Sequence, residues 1–411
     1  MKIPELLAPA GSYTRAKAAF LYGADAVYVG TAALSLRTRT DMEMDELEKI
    51  VNLAKSLNKK VYVAMNIYAM DTDYEKIKEQ CEYLENLKVD ALIISDGGVL
   101  ECAKKYAPSI PKHISTQANI VSVESCKFWQ NNGAERVILA RELSGSKIRH
   151  IMENKPEDLE VEIFIHGAVC MGYSGRCILS NYLMSRSSNL GDCAQPCRWE
   201  YNAYVEEVKR EGILMPVEED KRGTYIFSAK DLCLIKRIPE IVEMGIDSLK
   251  IEGRLKTEYY VATVVNTYRR AIDDYINNPE EWDYMKYFIE LEKAKSRGAS
   301  ELFYDDEYNL DIQSFDGDER STIAYEYAAV VKDDEGDKTL VEIRNRIAKG
   351  DKLEVIVPGN IDNQEFVVEK MYDVETKEEI DFVNPGKQGQ SVYLELPCEV
   401  KEGYIIRKRK N

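Results

Sequence analysis

Up to about residue 296, short apolar runs rich in β-branched residues alternate with stretches whose apolar positions recur at helical spacing. The runs predict strands at Glu5–Ala8, Ala26–Val29, Lys60–Met65, Ala91–Ser95, His113–Thr116, Arg136–Ala140, Glu160–Ile165 and Ser248–Glu252. Between them, MDELEKIVNLAKSLN and DYEKIKEQCEYLENLK carry the apolar stripe of amphipathic helices. The strands are almost continuously apolar, as strands are when layers cover both of their faces. Four segments echo one another: GADAVYVG from Gly23, VDALIISDGG from Val89, GAERVILARE from Gly133 and GIDSLKIEGR from Gly245. Each follows a helical stretch, runs through an apolar strand and ends in polar residues or glycine. Eight strands in regular alternation predict an α/β fold, a (β/α)8 TIM-like barrel rather than an open doubly wound sheet. No G-x-G-x-x-G follows the first strand to suggest a dinucleotide fold.

The regularity breaks after the seventh strand, where a cysteine-rich insertion runs from about residue 170 to 228. Long insertions in barrels sit on the loops after strands, at the face where chemistry happens. The barrel is assigned to residues 1–300 and an acidic linker to 301–320. Over 321–411 the pattern changes to alternating runs (YAAVVK, TLVEIRN, KLEVIVPG, FVVEKMYD, SVYLELP) separated by Gly, Asp and Asn turns. That pattern predicts a small C-terminal antiparallel β-domain, a barrel or a sandwich.

The chain carries 72 Asp and Glu against 55 Lys and Arg, a net charge of −17 over 411 residues. Such a chain does not bind nucleic acid by its overall field, and DNA is not an expected partner. Local positive surface remains possible, and Arg407–Lys410 reads as a short solubilising basic tail. No apolar run of about 18 residues occurs, so no membrane span is expected. The opening MKIPELLAPAG is too short and interrupted for a signal peptide and reads as a first buried strand. With no secretion signal, nine cysteines point to a reducing, cytoplasmic setting in which disulfides are rare.

Cys81, Cys102, Cys126 and Cys398 are scattered, and the first three fall on amphipathic helices as small buried thiols. The other five are clustered: Cys170-x6-Cys177-x15-Cys193-x3-Cys197-x35-Cys233. Thiolates are the preferred ligands of iron–sulfur clusters, and a cubane needs four. Structural zinc usually shows two tight Cys pairs, and only Cys193/Cys197 is tight here. Zinc, disulfides and unliganded buried thiols stay open as lesser readings.

The segment EIFIHGAVCMGYSGRCILS, Glu162 to Ser180, resembles the signature of the U32 peptidase family. CAQPCRW from Cys193, SAKDLCLI from Ser228, KIEGRLK from Lys250, ELLAPAGS near the start and SLRTRT at Ser35–Thr40 are similar to further family segments. The resemblance spans the barrel and extends to the appended β-domain. Despite the family's name, it is closest to the branch of bacterial tRNA hydroxylation proteins. It implies a [4Fe-4S] cluster, conversion of the wobble uridine of tRNA to 5-hydroxyuridine, and prephenate as hydroxyl source. By position it implies Cys170, Cys177, Cys193 and Cys233 as ligands, with Cys197 to spare. Related branches act on ribosomal RNA or on a quinone ring, so a partner subunit working with a paralogous family member is an alternative.

A peptidase is the other alternative, although the chain has neither H-E-x-x-H nor G-x-S-x-G and only three histidines, His113, His150 and His166. Strand alternation places Glu162, Phe164 and His166 on one face of the seventh strand, which makes Glu162 and His166 candidate acid–base residues. Polar residues ending predicted strands are candidate site residues: Asn66, Asp96, Gln117, Arg141, Lys250, Glu252 and Arg254. Arg37 and Arg39 after the second strand are candidate clamps for a dicarboxylate such as prephenate. Arg176, Arg186 and Arg198, with Tyr173, Tyr182 and Trp199, are candidates for contact with an unpaired RNA base.

Overall fold

Eight parallel strands close on themselves in the computed structural model. It describes residues 2–31, 42–170, 172, 177, 179–186, 193–199, 204–206, 214–216, 230–294, 298–305, 325–334, 338–386 and 390–410. The strands are β1 (Glu5–Pro9), β2 (Ala26–Gly30), β3 (Lys60–Met65), β4 (Ala91–Ile94), β5 (Lys112–Ile114), β6 (Arg136–Ile138), β7 (Glu160–Gly167) and, after a short β8 (Asp231–Cys233), β9 (Ser248–Ile251). Closure is carried by β9, which pairs in parallel with β1 (Glu5 opposite Ser248) and with β7 (Glu162 opposite Ser248). All eight predicted barrel strands are present, and no strand end is shifted by more than two residues. β8 was not predicted. It adds antiparallel to the end of β7, with Cys233 opposite His166.

Helices α1 (Tyr13–Leu21), α2 (Met44–Ser56), α3 (Tyr74–Leu87), α4 (Gly97–Tyr106), α5 (Val123–Asn131) and α6 (Gly145–Asn154) follow the first six strands. In the insertion lie α7 (Leu179–Met184) and a two-stranded antiparallel pair, Tyr204–Glu206 with Leu214–Pro216. α8 (Ile238–Glu243) precedes β9, and α9 (Glu258–Asn277) and α10 (Tyr284–Glu292) complete the outer layer. α9 buries most of its length because it packs between the barrel and the second domain. Cys81 and Cys126 are buried on α3 and α5, and Cys102 is half-buried on α4.

The C-terminal domain is a seven-stranded antiparallel sheet. Its strands are β10 (Tyr325–Asp334), β11 (Thr339–Ile343), β12 (Lys352–Ile356), β13 (Gln364–Val367), β14 (Met371–Asp373), β15 (Ser391–Leu394) and β16 (Ile405–Arg409). The basic tail expected at Arg407–Lys410 is mostly the last of these strands, and Arg407 is fully buried. Its guanidinium lies 2.6 Å from Glu290 of α10 and pairs with Glu354 of β12. Burial is tolerated because two carboxylates accept nearly every donor the fork presents. The hydroxyl of Tyr22, which caps the C-terminus of α1, donates to Ile356 O (2.9 Å) and accepts from Ile405 N (2.8 Å), so the sheet is bonded to the barrel's outer layer.

Candidate functional site at the barrel mouth

Side chains pointing inward from the strands fall into two layers. Near the strand starts, Arg136 reaches Glu5 (2.6 Å), Glu160 (2.6 Å) and Glu162 (3.2 Å). The Tyr62 hydroxyl donates to Glu5 at 2.6 Å, and the His113 ring meets Tyr62 edge-on at 4.8 Å. Burial works to raise the Glu5 pKa, but Arg136 and the Tyr62 hydrogen bond outweigh it and hold the carboxyl below its usual range. Burial, helped by Arg136 and Lys250, pushes the His113 pKa well below the usual value, so this imidazole is neutral. Glu162 is completely buried here, bonded to Arg136 on one oxygen and to Lys250 (2.9 Å) on the other. Its carboxylate therefore supports the site from below; it does not line the mouth.

Above this layer a cavity of about 140 Å³ opens at the strands' C-terminal ends. Gln117, Arg141, Lys250, Glu252 and Arg254 line it, as does Asn66. Tyr28 and Phe164 supply aromatic walls. The Arg141 guanidinium stacks 3.6 Å from the centre of the Phe164 ring and donates to Ala168 O at 2.8 Å. Its Nε is buried with no hydrogen-bond partner among the described residues. Lys250 Nζ sits 4.5 Å from the Tyr28 ring centre. Burial lowers the Lys250 pKa against the pull of Glu162. Tyr28 was not singled out in the sequence, where a tyrosine inside an apolar strand reads as core.

The insertion closes one side of the cavity. Cys170, Cys177, Cys193 and Cys197 all line it. Ser180 Oγ accepts from Ala194 N at 2.9 Å and so ties the Cys177 and Cys193 segments together. Cys233 stands behind this wall, buried, with its thiol 3.7 Å from the Tyr268 hydroxyl. Of the expected ligands, three thus share the cavity with Cys197, while Cys233 lies on β8 beside Tyr268 and does not line it. Among the described residues no three Cys, His, Asp or Glu side chains converge as they would on a single metal ion. Four thiols lining one cavity match the four-thiolate donor set of a [4Fe-4S] cluster.

His166 is a correction to the expected face. The register shifts between Lys250 and Ile251, so Lys250 pairs with Phe164 but Ile251 pairs with His166. This irregularity breaks the strict alternation, and His166 turns away from the cavity toward α9. There it packs against Tyr260 and Tyr268, whose ring centres lie 6.0 and 5.5 Å away. Burial lowers its pKa to about 4, so the ring is uncharged near neutral pH. Gly167, the next residue, has φ +107°, and a Cβ there would lie 2.5 Å from Glu252 O. Only glycine lets β7 end against the loop after β9.

Asp96 does not line the cavity: its carboxylate caps α4, accepting from Gly98 N (2.9 Å) and Val99 N (3.0 Å). Tyr182 is 84% and Trp199 39% exposed. Arg186 follows α7, and Arg198 lies in the single helical turn Pro196–Arg198. Arg37, Arg39, Tyr173 and Arg176 lie outside the described residues. No described helix is long and apolar enough to cross a membrane.

The tRNA hydroxylation protein P1 of Bacillus subtilis is 38% identical over 92% of this chain and 89% of its own length. The tRNA hydroxylation protein P of Escherichia coli is 36% identical over 99% of this chain and 96% of its own. The 23S rRNA 5-hydroxycytidine C2501 synthase of Escherichia coli is 32% identical over 87% of this chain and 53% of its own. Residues 11–313 match peptidase family U32, and residues 324–407 match the peptidase family U32 C-terminal domain. The chain is a member of peptidase family U32.

Proposed function

We propose that this protein takes part in tRNA hydroxylation, converting the wobble uridine to 5-hydroxyuridine at the barrel mouth without molecular oxygen. The observation that carries the reading is that one cavity gathers four cysteines with Gln117, Arg141, Lys250, Glu252 and Arg254. The tRNA hydroxylation proteins that it matches along nearly their full length support the same reading. A [4Fe-4S] cluster is the cofactor that fits the thiols; bound there, it supplies redox or Lewis-acid chemistry to whatever occupies the cavity. Cys170, Cys177 and Cys193 would hold it; the fourth ligand would be Cys233, as expected from the resemblance, or Cys197, which lines the cavity. Separate Cys233→Ser and Cys197→Ser variants test that choice, because loss of the true ligand lowers iron content.

The chain's own groups divide the remaining work. Arg141, whose buried Nε has no partner among the described residues, and Arg254 are suited to a carboxylate such as those of prephenate. Lys250, held by Glu162, is suited to giving or taking a proton on the cavity floor. A peptidase built on His166 and Cys170 finds no support, since that imidazole faces α9. The test is nucleoside mass spectrometry of tRNA from a strain lacking the gene and its paralogues. Loss of 5-hydroxyuridine that the gene restores is expected, and unchanged 5-hydroxyuridine sinks the proposal.

A further inference from the structure

Among the described residues two lysines are buried, Lys112 and Lys250, and their surroundings differ. Lys112 Nζ donates to Ala107 O at 2.7 Å and to Pro108 O at 3.4 Å, so backbone carbonyls hold its charge. Lys250 lines the cavity, and the hydrogen-bond partner of its Nζ is Glu162 Oε1 at 2.9 Å. Otherwise the amine faces rings, 4.5 Å from the centre of Tyr28 and 5.3 Å from that of Phe164. An ammonium carries three donors, and one carboxylate oxygen with two aromatic faces is a sparse shell for it. Burial accordingly lowers the Lys250 pKa against the pull of Glu162.

A desolvated lysine amine beside a proton acceptor is suited to adding to a carbonyl carbon. The same two rings also carry guanidinium groups. Arg141 lies 3.6 Å from the Phe164 ring centre and Arg254 lies 5.7 Å from the Tyr28 ring centre, and both line the cavity. A 2-oxo acid has a carboxylate next to its carbonyl, which suits an arginine and an amine placed around one small space.

We infer that Lys250 condenses with the carbonyl group of a 2-oxo acid in this cavity, with Glu162 moving the protons. Prephenate is a 2-oxo acid, so the inference rests on the reading above for its ligand and adds a covalent attachment point. A proton passes from Nζ to Glu162, and the nitrogen lone pair forms a C–N bond as the carbonyl π pair moves onto oxygen. That oxygen takes the proton from Glu162, which then accepts a second one from nitrogen. The hydroxyl leaves as water with this second proton, and the nitrogen lone pair completes the C=N bond. Ammonium and ketone thus give protonated imine and water, and Glu162 is again a carboxylate. The positive charge stays between Glu162 and the Tyr28 and Phe164 rings throughout, so no charge is newly buried.

The test incubates the purified full-length chain, its iron content measured, with pyruvate or prephenate and sodium cyanoborohydride, which reduces an imine to a stable amine. Peptide mass mapping then locates the adduct. Lactate, which has a hydroxyl in place of the carbonyl, is the control. Adduct is expected on Lys250 at about tenfold or more the level on the exposed Lys49, and none on Lys112. Glu162→Gln is expected to slow the labelling of Lys250 about a hundredfold, with melting temperature as the check on folding. Should that variant unfold, the map of the wild-type chain still decides. No adduct on Lys250, or labelling there no faster than on Lys49, overturns the inference. If 5-hydroxyuridine still depends on the gene in that case, the hydroxylation reading stands without the imine. An adduct on Lys250 beside unchanged 5-hydroxyuridine in the deletion strain supports the imine and sinks the hydroxylation reading.

Discussion

The two layers of the barrel interior use the same kinds of residue to opposite ends. At the strand starts, Arg136 is enclosed by Glu5, Glu160 and Glu162, and the charges satisfy one another without a ligand. At the mouth, Arg141 and Glu252 pair at 3.5 Å, but they line a cavity with Lys250 and Arg254, and the Arg141 Nε is buried without a hydrogen-bond partner among the described residues. A buried charge network that closes on itself stabilises the fold, whereas one built around a cavity is organised for a guest. Lys250 connects the two, since its ammonium lines the cavity and its ion-pair partner Glu162 belongs to the closed layer.

The largest expected effect breaks the closed layer. Arg136→Ala leaves Glu5 and Glu162 buried with a lost partner and is expected to cost about 3–5 kcal/mol of stability, measured by denaturant unfolding. If stability changes by much less while activity is lost, the lower layer is part of the site. The mouth gives the reverse signature. Arg141→Met keeps an apolar stem over Phe164, and it is expected to lower tRNA hydroxylation by about tenfold or more. Its melting temperature should stay near that of the wild type. A variant that unfolds with no separate effect on activity removes the distinction between the layers.

The third prediction concerns pH. His113 has its folded-state pKa pushed well below 6.5, so the unfolded chain binds this proton first as pH falls. The stability that comes from keeping this imidazole neutral is present above about pH 6.5 and is lost as pH drops toward the folded-state pKa. One such histidine contributes a slope of about 1.4 kcal/mol per pH unit in that window. His113→Phe should remove that share of the slope between about pH 6 and 5, read from unfolding curves at several pH values. An unchanged slope would show that His113 is protonated in the fold. The smallest effect belongs to Asp96. Asp96→Ala is expected to cost about 1 kcal/mol through the lost cap and to leave activity intact. Lost activity at wild-type stability would return Asp96 to the site.

Much of this was legible along the chain. The apolar runs marked the eight strands because a strand covered on both faces is mostly apolar, and local pattern alone reports that burial. The crowding of four cysteines in one insertion pointed to the wall of the cavity they line, and the strand-end rule picked out Gln117, Arg141, Lys250, Glu252 and Arg254, which line it too. Direction and partnership were not legible. The register shift on β7 turns His166 out toward α9, and alternation has no means of foreseeing it. Arg407 reads as part of a basic tail until Glu290 and Glu354, distant in sequence, enclose it. Glu162 and Glu252 end up in different layers, although Glu162 lies on β7 and Glu252 directly follows β9, the strand paired with it. Sequence by itself determined which segments are buried and where reactive side chains concentrate, because both depend on local composition. Only the tertiary structure decided which charges neutralise each other and which are left around a cavity, because a charge's role is set by neighbours the chain brings from far away.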